Sequence, residues 1–301
     1  MFWLFIIILA YFFLALASLV DRYILAGPLQ SPKAYAFFVG ILGILALFLV
    51  PFGFEVPPFS QIILSLAAGA IWILAIYFLY VAIYQSEISK IVPAIGGFLP
   101  IFTFVISYFA FPTELTINCS RALSLLLLIL GSILITFEKE KKVILRDIRS
   151  SILAAIFFAV GFLLMKMVYL QQSFISGFIW MRIGGTIIAL LFLLSSETRQ
   201  IIFKKGAVSK KQVSLPLVLG QAFGGLGFVL QNLAVNLAEI KELPLINALE
   251  GIRYVFLLFC VSVLGRKFPH LLKEKISRET WPLRIFAILL IVIGLVFLSF
   301  E

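Results

Sequence analysis

The chain has 301 residues, 63% of them hydrophobic and 13% charged, with a mean hydropathy of +1.17. A soluble domain is about half apolar and about a quarter charged, so this chain has too little polar surface to be wetted on every side, and lipid must cover much of it. The net charge of +10 gathers in short loops between apolar runs, a pattern of membrane topology rather than of nucleic-acid binding.

Ten apolar runs follow one another, at roughly 2–20, 34–52, 60–83, 88–111, 119–137, 150–170, 174–194, 213–237, 243–264 and 283–300. Each is long enough to cross a hydrocarbon core of about 30 Å as a helix. Alternating strands of barrel type are absent from the pattern, and backbone in lipid must satisfy its own hydrogen bonds, so helices are expected. The first run lacks a basic leader and a small-residue cleavage site and is read as a membrane helix. Most gaps are short turns such as "PFGFEVPP" and "FPTELT". Three are charged: "EKEKKVILRDIRS", "SSETRQIIFKKGAVSKKQ" and "GRKFPHLLKEKISRET".

Counted together with the first turn of the run that follows, the gaps after runs 1, 3, 5, 7 and 9 carry 2, 1, 5, 5 and 6 Lys and Arg, while the opposite side has Arg121, Lys166 and Lys241. The positive-inside rule puts the rich side in the cytoplasm of a cell (inner) membrane and both termini outside.

The chain also resembles itself. A shift of 144 lays Arg22 on Lys166 and Gly40 on Gly184; a shift of 152 lays Ala82 on Ala234; a shift of 163 lays Arg121 on Arg284 and Gly131 on Gly294. Growing offsets are what loop insertions produce. Five runs are an odd number, so the two copies must insert in opposite orientations, with a site expected between them near the midplane. The expected fold is an all-α integral membrane protein of ten transmembrane helices in two inverted five-helix repeats, 1–137 and 150–301, joined by a charged linker at 138–149.

"DRYIL" at the end of run 1, "SEISKIVPAIGGFLPIF" in run 4 and "TEL…RALSLLLLILGSILI" around run 5 resemble the drug/metabolite transporter superfamily, in particular its EamA-type members. The resemblance spans nearly the whole chain. It implies a 5+5 inverted repeat, a cavity lined mainly by helices 1, 3, 4, 6, 8 and 9, and a transport function. Members are commonly drawn with cytoplasmic termini, whereas the charge count here gives the reverse.

Candidate binding residues come from charge and polarity inside the runs. Tyr77, Tyr80 and Tyr84 share a helical face in run 3. The 152 shift lays Tyr80 and Tyr84 on Asn232 and Asn236 of run 8, with Gln221 and Gly225 on the same face. Amides facing lipid are costly, so this face should look inward, either as interhelical contacts or as a cavity of phenols opposite amides. In run 9, Asn247, Glu250 and Arg253 lie at three-residue spacing, which lets the two charges pair along one face. They are read either as a structural clamp or as a solute- or proton-coupling site. Arg182 is expected to snorkel to the outer surface, and Lys166 to stand near the outward end of run 6. Pro100 and the glycines at 96–97 read as a kink in run 4, and Pro244 as the start of a helix.

No catalytic, metal-binding or cofactor motif is recognised. Cys119 and Cys260 read as small buried hydrophobes, and His270 falls in a charged loop. The sequence therefore points to a secondary transporter of a small organic solute, amphipathic or aromatic, working as a monomer or homodimer in the lipid bilayer without enzymatic activity. The rivals are a lipid or lipid-linked-sugar flippase on the same fold and a receptor or assembly subunit that moves nothing.

Overall fold

In the computed structural model, residues 2–27, 29–85, 88–112, 119–136, 145–203, 210–267 and 281–299 are described. Much of the three charged loops lies outside them, including most of the linker and His270, and so does the "TEL" segment.

Every apolar run is helical where it is described. The helices are α1 (Phe2–Ala26), α2 (Pro32–Leu42), α3 (Phe59–Gln85), α4 (Ile88–Ala110), α5 (Cys119–Thr136), α6 (Leu145–Gln171), α7 (Phe174–Leu191), α8 (Ser196–Phe203), α9 (Lys210–Leu237), α10 (Leu243–Ala248), α11 (Glu250–Lys267) and α12 (Trp281–Ser299). No strand occurs among the described residues. Among the described residues, six helices are long and apolar enough to cross a membrane: Phe2–Ala26, Pro32–Phe52, Phe59–Gln85, Arg149–Gln171, Phe174–Leu194 and Leu215–Leu237. The chain is thus an all-α, multi-pass membrane protein. Against the expected ten spans, six meet this measure among the described residues; in runs 4, 5 and 10 the described apolar stretches are Ile95–Ala110, Ala122–Gly131 and Ile285–Gly294. Run 9 is interrupted.

Local chemistry sets several boundaries. Ser31 caps α2, accepting from the Ala34 amide with Pro32 in the first turn, where a missing amide hydrogen costs nothing. Run 2 then tightens into a 3-10 helix, Gly43–Phe52, that contains Pro51 and stops at Gly53 with φ of 109°. Ser173 caps α7 by accepting from the Ser176 amide. Run 9 opens with a 3-10 turn, Ile240–Glu242, under a capping box between Glu239 and Glu242. It then breaks at Leu249, between α10 and α11. The Tyr11 hydroxyl donates to the Ile246 carbonyl at 2.8 Å beside the break, giving that carbonyl a partner from another helix.

The core is one continuous apolar cluster that reaches from α1 to α12. The largest packing interfaces are α1 on α9, α3 on α6, α3 on α7, α5 on α12 and α4 on α6. Smaller ones join α1 to α11, α10 to α4 and α2 to α7. Small residues let backbones approach, as membrane helices require. A side chain on Gly69 would collide with the Met181 carbonyl of α7, and one on Gly184 with the Leu66 backbone of α3. A Cβ on Gly131 would stand 2.6 Å from Ile291 and 2.8 Å from the Ala287 carbonyl; one on Gly294 would stand 3.0 Å from Leu128 and 3.2 Å from the Ser124 carbonyl.

Both cysteines are free. Cys260 is half-buried, whereas Cys119, at the start of α5, is exposed and departs from the expectation of a buried hydrophobe.

Candidate functional site

A cavity of about 610 Å³ lies inside the bundle, walled by α1, α2 with its 3-10 extension, α3, α4 through Leu99, α6, α7, α9 and α11. Trp72, Phe158, Phe162, Phe178 and Phe228 give it an aromatic wall, on which Trp72 contacts Phe158, Phe162 and Phe228 with ring centroids 5.0–5.2 Å apart. Among the described residues, four charged side chains reach it: Asp21, Arg182, Glu250 and Arg253. Charges inside a membrane bundle are costly, which makes this cavity the candidate functional site.

Glu250 and Arg253 stand on the first turn of α11. Their ion pair measures 2.8 Å, and both residues are buried, at 6% and 8% exposure. The helix starts at Glu250, so the carboxylate also meets the positive end of the α11 dipole. Arg253 donates a second hydrogen bond to the Ser18 hydroxyl of α1, which ties α11 across the bundle. Its Nε has no partner among the described residues. The pair is therefore internally compensated, yet it belongs to the cavity wall, so it meets the geometry of both the clamp and the site.

Asp21, on α1, accepts a hydrogen bond from the Tyr35 hydroxyl at 2.6 Å. Tyr35 in turn stacks on Tyr80 at 4.5 Å between centroids. A carboxyl and a phenol pair thus form one polar corner contributed by α1, α2 and α3. The sequence reading noted "DRYIL" only as a resemblance and did not single out Asp21. Its periodicity with Ala17 and Leu14, both also on the cavity wall, was the available signal.

Arg182 corrects an expectation. Instead of snorkelling to the outer surface, it lines the cavity, its guanidinium 4.0 Å from the Phe228 ring centroid and 5.4 Å from that of Phe178. Phe178 is one turn earlier on α7, and Phe228 is supplied by α9. Stacking on two rings holds the cation inside the bundle.

Of the binding residues picked from sequence, Tyr80, Gln221, Gly225, Glu250 and Arg253 line the cavity. The others do not. Tyr77 leans on Phe78 and Phe192, and Tyr84 is 45% exposed. The cavity face of α3 is Trp72, Ile76, Leu79 and Tyr80, from which Tyr77 and Tyr84 are turned by roughly 100°. Asn232 is fully buried beyond the end of the cavity, accepting from the Tyr169 hydroxyl at 2.7 Å and donating to the Phe228 carbonyl. Asn236 offers its backbone carbonyl to Lys166. Asn247 donates to the Thr103 hydroxyl at 2.7 Å and joins α10 to α4. Gln231 is a cavity residue that the sequence reading passed over.

Lys166 and Arg22 both satisfy helix ends. Lys166 donates to the carbonyls of Val235, Asn236 and Ala238 at the C-terminus of α9. Arg22 donates to the Ile83 carbonyl, 2.7 Å away, near the C-terminus of α3. Cations there meet unpaired carbonyls and the negative end of the dipole.

No family model matches the chain, and no curated protein matches it. Solved structures do: 23 chains are similar. One of them, a crystal structure described simply as that of a protein, superposes on 98% of this chain and 94% of its own with a TM-score of 0.64 at 16% identity. At that identity the likeness concerns the fold. Fold and cavity together define the class, an all-α, multi-pass membrane protein with a charged chamber inside its helix bundle.

Proposed function

We propose that the chain is a secondary transporter, of the EamA kind within the drug/metabolite transporter superfamily, that moves a small organic solute across the membrane by alternating access. The observation that carries this reading is the 610 Å³ cavity, walled by helices from both halves of the chain and bearing four ionisable side chains. A sealed structural core would have no use for those charges, and the volume suits a metabolite-sized solute.

The proposed frame is ten helices in two inverted repeats, and the packing supports it. Exchanging the halves turns the α1–α9 contact into the α3–α6 contact, and the α4–α6 contact into the α1–α11 contact. The α5–α12 and α2–α7 contacts exchange with themselves. At residue level, Gly131 meets Ala287 and Ile291 while Gly294 meets Ser124 and Leu128, the same positions under the 163 shift. Likewise Arg22 on the Ile83 carbonyl corresponds to Lys166 on the Val235 carbonyl. In this frame the loops rich in Lys and Arg face the cytoplasm of a cell membrane and the termini face outward. The carboxylates of Asp21 and Glu250 are the groups available for proton coupling.

The test is uptake into proteoliposomes from a panel of labelled organic solutes, with and without an imposed proton gradient. Saturable uptake of a member is expected. Failure across the panel together with stable co-purification of another membrane protein would favour an assembly subunit instead. Orientation is tested separately with single cysteines at Lys141, Lys205 and Lys273, in a chain lacking Cys119 and Cys260. They should resist an impermeant thiol reagent on intact cells, while one at Glu55 reacts; the opposite pattern reverses the topology.

A lipid-moving machine on the same frame is the second reading. It is favoured by the exposed apolar side chains on the cavity rim, Leu45, Phe48 and Val218 among them.

A further inference from the structure

Arg182 is the cavity charge without a protein counterpart. Glu250 is neutralised by Arg253, and Asp21 is held by Tyr35. Among the described residues, no hydrogen bond or ion pair reaches the Arg182 guanidinium, whose contacts are the faces of Phe178 and Phe228. Stacking occupies the flat faces of a guanidinium and leaves its edge, with five N–H donors in a fork, free for a planar or tetrahedral anion. The ground around it is apolar and aromatic: Trp72, Phe162, Phe178 and Phe228. The chemistry on offer is one strong anion grip set in a hydrophobic chamber.

The rim tells how such a ligand would arrive. On α9 the lining residues Val218, Ala222, Gly225 and Val229 follow at i, i+4, i+7 and i+11. They form one stripe about 16 Å long parallel to the helix axis. Val218 is 64% and Val229 36% exposed. Opposite, Leu42, Leu45 and Phe48 repeat every third residue, one face of the 3-10 segment, at 37%, 53% and 76% exposure. An opening at one end of a bundle would expose residues at a single depth. Apolar residues exposed over about half the thickness of a hydrocarbon core describe a slot in its side, facing acyl chains. One flank of that slot is ten residues of 3-10 helix, a geometry that rarely persists beyond about four residues and that marks strained or hinged segments.

We infer that the cavity binds an amphipathic organic anion, its acid group on Arg182 and its apolar body along Trp72, Phe178 and Phe228, and that this ligand enters sideways from the bilayer between the Gly43–Phe52 segment and α9. The assignment rests on the transport reading and narrows its substrate.

The test uses the full chain in lipid nanodiscs and follows the fluorescence of pyrenebutyrate on binding. Pyrenebutylamine, which reverses the charge, and butyrate, which lacks the apolar body, serve as competitors. Pyrenebutyrate binds saturably, and both competitors are about tenfold weaker or worse. Arg182→Met weakens binding by about tenfold or more, the scale of one lost charge-assisted contact, and Arg182→Lys falls between. Gly225→Leu supplies a control on folding, because a Cβ there meets nothing within 4 Å; it should fill the chamber and weaken binding at unchanged Tm. Equal binding of pyrenebutylamine, or unchanged binding in both Arg182→Met and Gly225→Leu, overturns the assignment. The route is read from nitroxide labels at Val218 and Val229 in a chain carrying Cys119→Ser and Cys260→Ser. Collisions with oxygen should exceed those with a water-soluble nickel chelate at both positions; the reverse at both overturns lateral entry. Uptake of a solute without an apolar body, undiminished in Arg182→Met, would overturn this inference and keep the transporter. Anion binding as described, with no uptake of any solute, would do the opposite.

Discussion

Residues 1–137 and 150–301, the two halves of the proposed repeat, share several of the contacts that hold helices together and differ in what faces the cavity. The repeated features are mechanical. A basic residue reaches a carbonyl near the end of the same neighbour in each, Arg22 to Ile83 and Lys166 to Val235, and a glycine nests against the partner helix in each, Gly131 and Gly294. The four cavity charges have no such partner. Under the same shifts Asp21 falls on Met165, Arg182 on Phe38, Glu250 on Phe98 and Arg253 on Ile101. Matching in the proposed repeat therefore offers a guide to scaffold and site. It is a partial one, because the α3–α7 interface has no α2–α9 counterpart of similar size, whereas the charges are present once and all face the cavity.

The largest expected effect comes from breaking the unmatched ion pair. Arg253→Met strands Glu250 in a buried, low-dielectric place and should cost about 3–5 kcal/mol of stability, seen as lost folded yield. Glu250→Gln together with Arg253→Met leaves no stranded charge, so yield should return while uptake stays absent. Recovery of both would return the pair to the scaffold column. Next come the two cation clamps, measured by thermal unfolding in nanodiscs. Lys166→Met leaves the carbonyls of Val235, Asn236 and Ala238 without this donor and should destabilise by about 2–3 kcal/mol; Arg22→Met removes the donor to the Ile83 carbonyl and should also lower Tm. Unchanged Tm in both would mean that these cations do not hold the helix ends.

The glycine seams give a smaller and graded effect. Gly131→Ala pushes a Cβ to 2.6 Å from Ile291, whereas Gly294→Ala reaches 3.0 Å from Leu128. Overpacking should cost about 1–3 kcal/mol at Gly131 and less at Gly294, read as a difference in Tm. Smallest is the contrast between Tyr80 and Asn232, which occupy matched positions. Tyr80→Leu should weaken ligand binding at little cost in Tm, because Tyr80 is on the cavity wall. Asn232→Leu should lower stability by about 1 kcal/mol through the lost Tyr169 bond and leave affinity unchanged. Identical outcomes would erase the distinction between wall and scaffold at this level.

Much of the architecture could be read from the runs, because apolar length in lipid leaves the backbone one way to fold. The interruption of run 9 at Leu249 could not. "INALEGIRYVF" holds no proline at the break, and the partner that stabilises it, Tyr11, is 235 residues away. Site residues were legible where one helix sufficed: Glu250 and Arg253 pair within a single turn. They failed where the answer depends on helix rotation within the bundle. Tyr77 and Tyr84 share a stripe with Tyr80, yet the cavity touches α3 along a neighbouring stripe. Arg182 was misplaced because one of its two supporting rings, Phe228, arrives from α9. Half of that support, Phe178 at i−4, was visible on its own helix.

The seam between α3 and α7 brings backbone onto backbone at Gly69 and Gly184, and these helices come from opposite halves. Helices in contact at that range cannot approach further, and parting them gives up close backbone packing. In the proposed transport cycle this seam is the natural fulcrum between the halves. If the chamber opens to alternate sides, displacement grows with distance from this line, so the levers are the elements remote from it, α1 with α9 and the two pieces of run 9. The joint at Leu249 then lies on the arm of the lever, where an angular change of a few degrees would move the Glu250–Arg253 pair relative to Ser18.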